Sequence, residues 1–527
     1  MSAEIELKFR IPPGRLAALR RAVATRSAVV QPLAAVYVDT AAEHLAGART
    51  ALRLRREGQQ WVQTLKAEGA NPMQRFEHNV VLPAPARPVA PVPGAAPGVA
   101  TIGAAPGSRP TLDIHRHDGT DAGAALQRLL ASAGQPPLVE RFATDVLRTR
   151  RVLRRGAALI ELALDEGHIH AAGRQVVVCE LEFELLQGAP QALLDEAARW
   201  VQRFGLVLDL RSKSERGHLL ANGLLCSPPA NARALHLLPK APLAQALAAM
   251  LANPLGQALA NASQLADAAT LSAADAAEHL HQLRVGLRRL RSVLGAYATL
   301  LPTLDAALPP ALATLFHQLG PARDADAMAG WLLPALRDAG APLQQLPSVP
   351  GAAASTDISA LLCAPATQQL WLSLLALCQP DPAAADDPRQ RAGKPARVLR
   401  DALGPPLQAL QRQVRRDAAG FAALAQPARH RLRRRVKRLR YLLALTHTLW
   451  PAADVARWLR RLQQAQTPLG ALQDTVVAHA AWRAAVAEDS RAWFAVGWLA
   501  AHQAALDPPC QQVMHRLAAT PGLWRKR

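Results

Sequence analysis

The period of the hydrophobic residues changes once along this chain, and that change constrains the fold more than any single motif. Up to about residue 220, apolar and polar residues alternate in runs such as 34-AAVYVDT-40, 51-ALRLRRE-57, 60-QWVQTLK-66, 75-RFEHNVVL-82, 145-DVLRTRRVLRR-155, 158-ALIELALDEGHIH-170 and 175-QVVVCELEFELL-186. Alternation at every second residue gives a strand one dry and one wet face. Helical patterns interrupt at 14–25 and 190–205, the second opened by Pro190 and closed by Gly205. Residues 83–110, dominated by Pro, Ala, Gly and Val, read as a loop inside this region. From about 221 the alternation disappears and apolar residues recur at helical spacing. Two periods predict two domains. The expectation is an α+β domain of antiparallel strands curled into a barrel over 1–220, a linker over 221–240, and an all-α domain over 241–520.

The helical part repeats itself. The segment 281-HQLRVGLRRLR-291 aligns without gaps on 430-HRLRRRVKRLR-440, and 319-LGPARDAD-326 answers to 469-LGALQDTV-476, at offsets of 149 and 150 residues. Two agreeing offsets predict a duplicated bundle.

Composition narrows the partners. The formal charge is +21, divided into net +6 for residues 1–220 and net +15 for 221–527, which calls for an anionic partner. Five scattered cysteines without a C-x-x-C pair argue for a reducing compartment and against a zinc site. No apolar run is long enough to span a bilayer, and the acidic start is unlike a secretory leader, so the expectation is a cytoplasmic protein with no membrane partner.

The strands carry the chemistry. In 3-AEIELKFR-10, Glu4, Glu6 and Lys8 share one strand face, with successive members about 7 Å apart. Glu180, Glu182 and Glu184 form a second acidic comb, and Glu161 shares a face with Asp165. Arg53 pairs with Arg55 and Arg148 with Arg150; Lys66, Arg75, Glu77, Lys213 and Arg216 complete the charged positions. A solvated outer face explains any one of these combs. It does not explain a set of carboxylate-only and arginine-only faces, because like charges gathered inside a closed sheet need a counter-ion. Clustered carboxylates suit a hard divalent cation, and arginine forks suit phosphate. No GxxxxGK[ST] loop is present, which excludes a P-loop enzyme.

These motifs in order (Glu4-x-Glu6-x-Lys8, LRLR at 52–55, TLK at 64–66, RFE at 75–77, IELALD at 160–165, CELEFELL at 179–186, SKSERG at 212–217) resemble the CYTH family, the triphosphate tunnel metalloenzymes. The resemblance implies an eight-stranded antiparallel β-tunnel that hydrolyses or cyclises triphosphates with Mg²⁺ or Mn²⁺. Carried over by position, it implies Glu4, Glu6, Glu182 and Glu184 as metal ligands, with Glu77 and Asp165 at a second metal or the attacking water. Lys8 would offset charge on the leaving group. Arg53, Arg55, Lys66, Arg148, Arg150, Lys213 and Arg216 would grip the phosphates, with Arg75 placed beside them. The roles of Glu161 and Glu180 stay open.

On a helix, His281, Arg284, Arg288 and Arg291 share one face, and Leu283, Leu287, Leu290 and Leu294 another. The second copy sets His430, Arg433, Lys437 and Arg440 against Leu432, Val436, Leu439 and Leu443. Neither segment contains an acid to compensate these cations. The pattern resembles the CHAD domain over roughly 235–520, which implies a duplicated four-helix bundle binding inorganic polyphosphate through those eight residues, and association with polyphosphate granules. Together the two resemblances imply a metal-dependent inorganic triphosphatase with a polyphosphate-binding domain. Thiamine triphosphatase, class IV adenylate cyclase and a non-catalytic polyphosphate binder are the alternatives. Aromatic residues make up only 4% of the chain, which argues against a nucleic-acid partner.

Overall fold

The alternating runs form strands whose dry face points outward and whose charged face points inward. In the computed structural model, which describes residues 3–69, 71–83, 109–341, 357–379 and 399–523, eight long strands pair antiparallel. They are β1 (Ala3–Arg10), β2 (Val29–Thr40), β3 (Thr50–Glu57), β4 (Gln60–Glu68), β5 (Gln74–Leu82), β6 (Leu138–Arg155), β7 (Ala158–Ala171) and β8 (Arg174–Gln187). Their order is β5-β4-β3-β2-β6-β7-β8-β1, and pairing of β1 with β5 closes the barrel. A two-residue strand, β9 (Val207–Leu208), adds to β1 at Phe9 and Arg10. Most of the expected loop at 83–110 lies outside the described residues.

Helices cover the dry exterior. The helices 14–25 and 190–205 expected from sequence form as α1 (Leu16–Val23) and α4 (Pro190–Phe204), and the structure adds α2 (His44–Gly47), α3 (Asp121–Ser132) and α5 (Lys213–Ala221). Phe9 of β1 and Phe183 of β8 meet edge to face at 5.5 Å, and Trp200 of α4 packs on Phe183 at 5.9 Å. On another side, Leu126 and Leu130 of α3 cover Leu52 and Leu65. Burying a large apolar side chain contributes about 1.5–3 kcal/mol, so the covering helices stabilise the barrel from outside and leave its interior free for charge.

One stretch of the interior is apolar. Ala35, Tyr37, Phe142, Val146, Ile169, Ala171 and Val178 project inward and pack with Leu220 of α5. Gly217 explains how α5 comes so close: a Cβ there would lie 2.2 Å from the Phe142 ring.

Two compact units result. The first comprises Met1–Pro229 together with Leu259–Ala276 and Ser359–Ala376; the second comprises Ala230–Ala258, Ala277–Ile358 and Leu377–Arg527. Beyond the first 229 residues the described elements are helical: α6 (Leu243–Leu265), α7 (Ala273–Tyr297), α8 (Leu308–Gln318), α9 (Gly320–Asp338), α10 (Ile358–Cys363), α11 (Pro365–Ala376), α12 (Leu399–Ala419), α13 (Gln426–Leu445), α14 (Ala452–Ala485) and α15 (Ala492–Ala518). The repeated cationic segments fall on α7 and α13, and their leucine stripes are buried: Leu283, Leu287 and Leu290 on one, Leu432, Val436 and Leu439 on the other. Trp482 of α14 fills a core with Leu336 of α9 and Leu499 of α15. No described helix is long and apolar enough to cross a membrane.

Candidate active site and cationic helix faces

Strand register brings the combs together. Glu6 stands opposite Glu184 and Lys8 opposite Glu182. Asp165 pairs with Glu180 and Arg148, Lys66 with Glu77, Tyr37 with Arg53, and Glu4 with Arg75. Every strand-borne site residue expected from sequence therefore lies on the inward face, as period-two geometry requires once one member points in.

The charges sort into two groups, each gathered around a lysine. Lys66 Nζ lies 3.4 Å from Glu4, 2.9 Å from Glu6 and 3.1 Å from Glu77. Lys213, from the first turn of α5, lies 2.7 Å from Asp165, 2.5 Å from Glu180 and 2.8 Å from Glu182. Oxygens of Asp165, Glu180 and Glu182 all fall within 4.8 Å of one another. Arg148 bridges Asp165 at 2.6 Å and Glu182 at 2.5 Å. Arg75 Nε is 3.4 Å from Glu6, Arg216 Nη1 is 3.4 Å from Glu180, and Arg150 Nη1 is 3.2 Å from Glu161 nearer the solvent. Arg53 donates to the Tyr37 hydroxyl at 2.9 Å, and Arg55 pairs with Glu57. Lys8 donates to the backbone carbonyl of Arg211. Glu184 makes no ion pair among the described residues.

Glu4 and Glu6 associate with Glu77, and Glu182 with Asp165 and Glu180; Glu184 stands across from Glu6. Glu180, whose role sequence left open, is as deep in its cluster as Asp165, and its place on the comb with Glu182 was the available signal. Arg211 carried no signal beyond standing two residues before Lys213.

Electrostatics separates the acids. Burial pushes the Glu4 carboxyl up to about 8, and neighbouring Glu77 and Glu184 add to the rise against the pull of Lys66. Burial also raises Glu184, with Glu161 beside it. For Glu77, burial opposes ionisation, but Lys66 and Arg53 outweigh it and hold the group at about 2. Burial is likewise outweighed at Asp165 and Glu182, which Lys213 and Arg148 keep ionised. An interior set of carboxylates, with Glu4 and Glu184 raised and Glu77, Asp165 and Glu182 held ionised by ammonium and guanidinium groups, matches the donor chemistry of a hard divalent cation.

On the helices, the rows do more than face solvent. Arg284 is buried and donates to the carbonyls of Leu319 and Gly320, both at 2.7 Å, so it is committed to the α8–α9 junction. Its counterpart Arg433 pairs with Asp474 at 3.2 Å, four residues after Gly470. The two repeated motifs thus touch each other within each copy. The side chains of Arg323 and Asp324 lie outside the described residues. Arg284, Arg288 and Arg291 stack around Phe316 at 5.0, 5.7 and 5.0 Å. Arg288 Nη1 reaches to 3.5 Å from the Tyr441 hydroxyl, so the α7 and α13 rows run side by side, and Arg440 lies over that ring. His281 is half-buried on α7, and His430 Nδ1 sits 2.8 Å from Gln473 Oε1. Burial, then Arg433 and Arg288, push the Lys437 ammonium down to about 7.

Residues 2–214 match the family model of the CYTH domain, and residues 255–483 match that of the CHAD domain. Among solved structures, the chain is similar to the CHAD domain from the plant Ricinus communis, with 28% identity over 56% of this chain and 99% of that one, at a TM-score of 0.42. It is also similar to HpAC1, an adenylyl cyclase candidate from Hippeastrum with a dominant triphosphatase activity: 16% identity, 42% of this chain, 96% of that one, TM-score 0.27. A third similarity is to the inorganic triphosphatase NE1496: 19% identity, 36% of this chain, 80% of that one, TM-score 0.14. Residues 2–214 are thus a CYTH domain, which forms the barrel, and residues 255–483 are a CHAD domain, formed of helices.

Proposed function

We propose that the barrel hydrolyses inorganic triphosphate to diphosphate and phosphate with Mg²⁺ or Mn²⁺, and that the CHAD helices bind inorganic polyphosphate. The observation that carries the first half is the enclosed interior itself: carboxylates gathered on Lys66 and Lys213, with Arg53, Arg55 and Arg148 around them. A structural ion-pair network does not need so many like charges, since burying them opposes folding.

In this reading Glu4, Glu6, Glu182 and Glu184 would hold the divalent cation, with Glu77 and Asp165 beside it. The cation supplies charge neutralisation on the phosphate oxygens and a bound water of lowered pKa. Lys66, Lys213, Arg55, Arg75, Arg148, Arg150 and Arg216 exchange carboxylate partners for phosphate oxygens as triphosphate enters, and Arg53 turns to them from the Tyr37 hydroxyl. Glu77, ionised at any physiological pH, accepts a hydrogen bond from the attacking water. Lys8 offsets negative charge as it develops on the leaving diphosphate.

Inorganic triphosphate is favoured over a nucleotide because the interior offers little to a base. Tyr37 and Phe142 stack on each other at 4.5 Å and 18°, Arg53 lies 5.7 Å from the Tyr37 ring centre, and His218 packs against Phe142 at 5.1 Å. For the helices, the supporting observation is the adjacency of the Arg288 and Lys437 rows on α7 and α13. The test is phosphate release from triphosphate, ATP, thiamine triphosphate and long polyphosphate with either metal. Triphosphate should be cleaved fastest; preference for ATP or thiamine triphosphate would replace the reading.

A further inference from the structure

The segment 207–213 reaches the barrel interior at two points. Lys8 donates to the carbonyl of Arg211, and Lys213, two residues on, holds Asp165, Glu180 and Glu182. The same segment is tied to β1 through the Asp209 amide, which donates to the Lys8 carbonyl at 2.9 Å. Whatever fixes residues 207–213 therefore fixes two ammonium groups of the interior.

Much of that fixing comes from residues far away in sequence that fold within the same unit. The Leu208 amide donates to Gln368 Oε1 at 2.8 Å, and the Leu210 amide to Ser263 Oγ at 3.1 Å. Asp267 makes the charged contact. Its Oδ1 accepts from Arg10 Nη1 at 2.9 Å, and its Oδ2 accepts from Arg211 Nη2 at 3.0 Å. Arg10 also donates to the Ala266 carbonyl at 2.6 Å. Arg10 lies two residues beyond Lys8 on β1, so one carboxylate spans both chain segments that carry Lys8's surroundings.

We infer that Asp267, contributed by the sequence between α6 and α7, is a positioning residue for Lys8. The inference rests on the triphosphatase reading for its kinetic consequence, though not for its geometric one. Asp267 and Arg10 are each about one-third exposed, 30% and 31%. Pairs exposed to that degree contribute little to global stability. Arg211 keeps a second partner, since Asp209 accepts from its Nε at 2.9 Å and its Nη2 at 2.7 Å. Loss of Asp267 should therefore loosen the clamp without unfolding the barrel. A lysine that acts on the leaving group affects the transition state more than substrate binding, so the expected signature is a fall in kcat with KM nearly unchanged.

The experiment compares full-length wild type with Asp267→Ala and Asp267→Glu by two readouts. The first is competitive acetylation with acetic anhydride, followed by peptide mass spectrometry at Lys8 and, as internal reference, Lys66. Asp267→Ala should label Lys8 about threefold or more faster relative to Lys66, and Asp267→Glu should restore much of the protection. The second is triphosphate hydrolysis, where Asp267→Ala should lower kcat about 5- to 20-fold with KM within about twofold. Unchanged Lys8 labelling overturns the inference even if activity falls. A proportional rise in KM at constant kcat, or a melting temperature that drops in step with activity, overturns it as well. If wild type is inert on triphosphate, the functional reading fails, while the labelling still decides whether Asp267 positions Lys8.

Discussion

Glu6 and Glu184 occupy directly opposed positions on β1 and β8, and the ammonium that balances Glu6 comes from β4, on the other side of β1 and β5. Two carboxylates at opposed positions are mutually destabilising without a cation. Closing the barrel is therefore coupled to charge balance inside it.

Replacing Lys213 with Met should destabilise the protein. Asp165, 1% exposed, would keep Arg148 alone as a cationic partner among the described residues, and breaking a buried pair costs roughly 3–5 kcal/mol. Urea titration should report that loss, and added Mg²⁺ should recover part of it. Unchanged stability in both conditions would mean that the ammonium does not balance the cluster.

Metal binding should strengthen with pH. Glu4 titrates at about 8, so below that pH the folded protein holds a proton that a cation must displace. Mn²⁺ affinity measured calorimetrically should rise between pH 6.5 and 9, with proton release on the acid side, and Glu4→Gln should remove the dependence. Without metal the sign reverses for stability. The native state binds more protons than the unfolded chain between about pH 4.5 and 8, so this group's contribution is lost as pH rises through 8. A flat Mn²⁺ affinity across this range would contradict the assignment.

Polyphosphate binding should weaken as pH rises through about 7. Lys437 is a base whose folded value is depressed to that point, so its charge is present below it and absent above. The affinity should fall by at most about tenfold per pH unit. Converting Arg288, Lys437 and Arg440 to Ala should reduce it about tenfold or more and flatten its salt dependence, since charged hydrogen bonds contribute about 1.5–3 kcal/mol each. Binding that ignores pH, salt and these changes would remove the helical rows from the account.

Gly217→Ala should destabilise the barrel by about 1–3 kcal/mol, because the added methyl meets the Phe142 ring at 2.2 Å. A denaturant midpoint equal to wild type would show that α5 gives way freely.

Strand parity made the barrel interior legible in sequence: once Glu4 points inward, period two forces Glu6 and Lys8 to follow, and the same holds for Glu180, Glu182 and Glu184. The division of those acids between Lys66 and Lys213 was not legible, because it depends on which strands lie across the barrel and on where α5 begins. The helical repeat was visible as a pattern, but the inward turn of Arg284 was not, since its partners are backbone carbonyls of Leu319 and Gly320 that any sequence supplies. Asp267 was invisible for a related reason: it stands in an alanine-rich stretch, and only the tertiary fold brings it to Arg10 and Arg211.

The most direct measurement of the central claim is phosphate release from triphosphate by wild type and by Glu4→Gln/Glu6→Gln, each with Mg²⁺ and with Mn²⁺. The account predicts metal-dependent hydrolysis by wild type and a loss of about 100-fold or more in the double variant, whose tertiary fold stays intact. Equal rates for the two proteins, or equal inertness on every triphosphate offered, would contradict it.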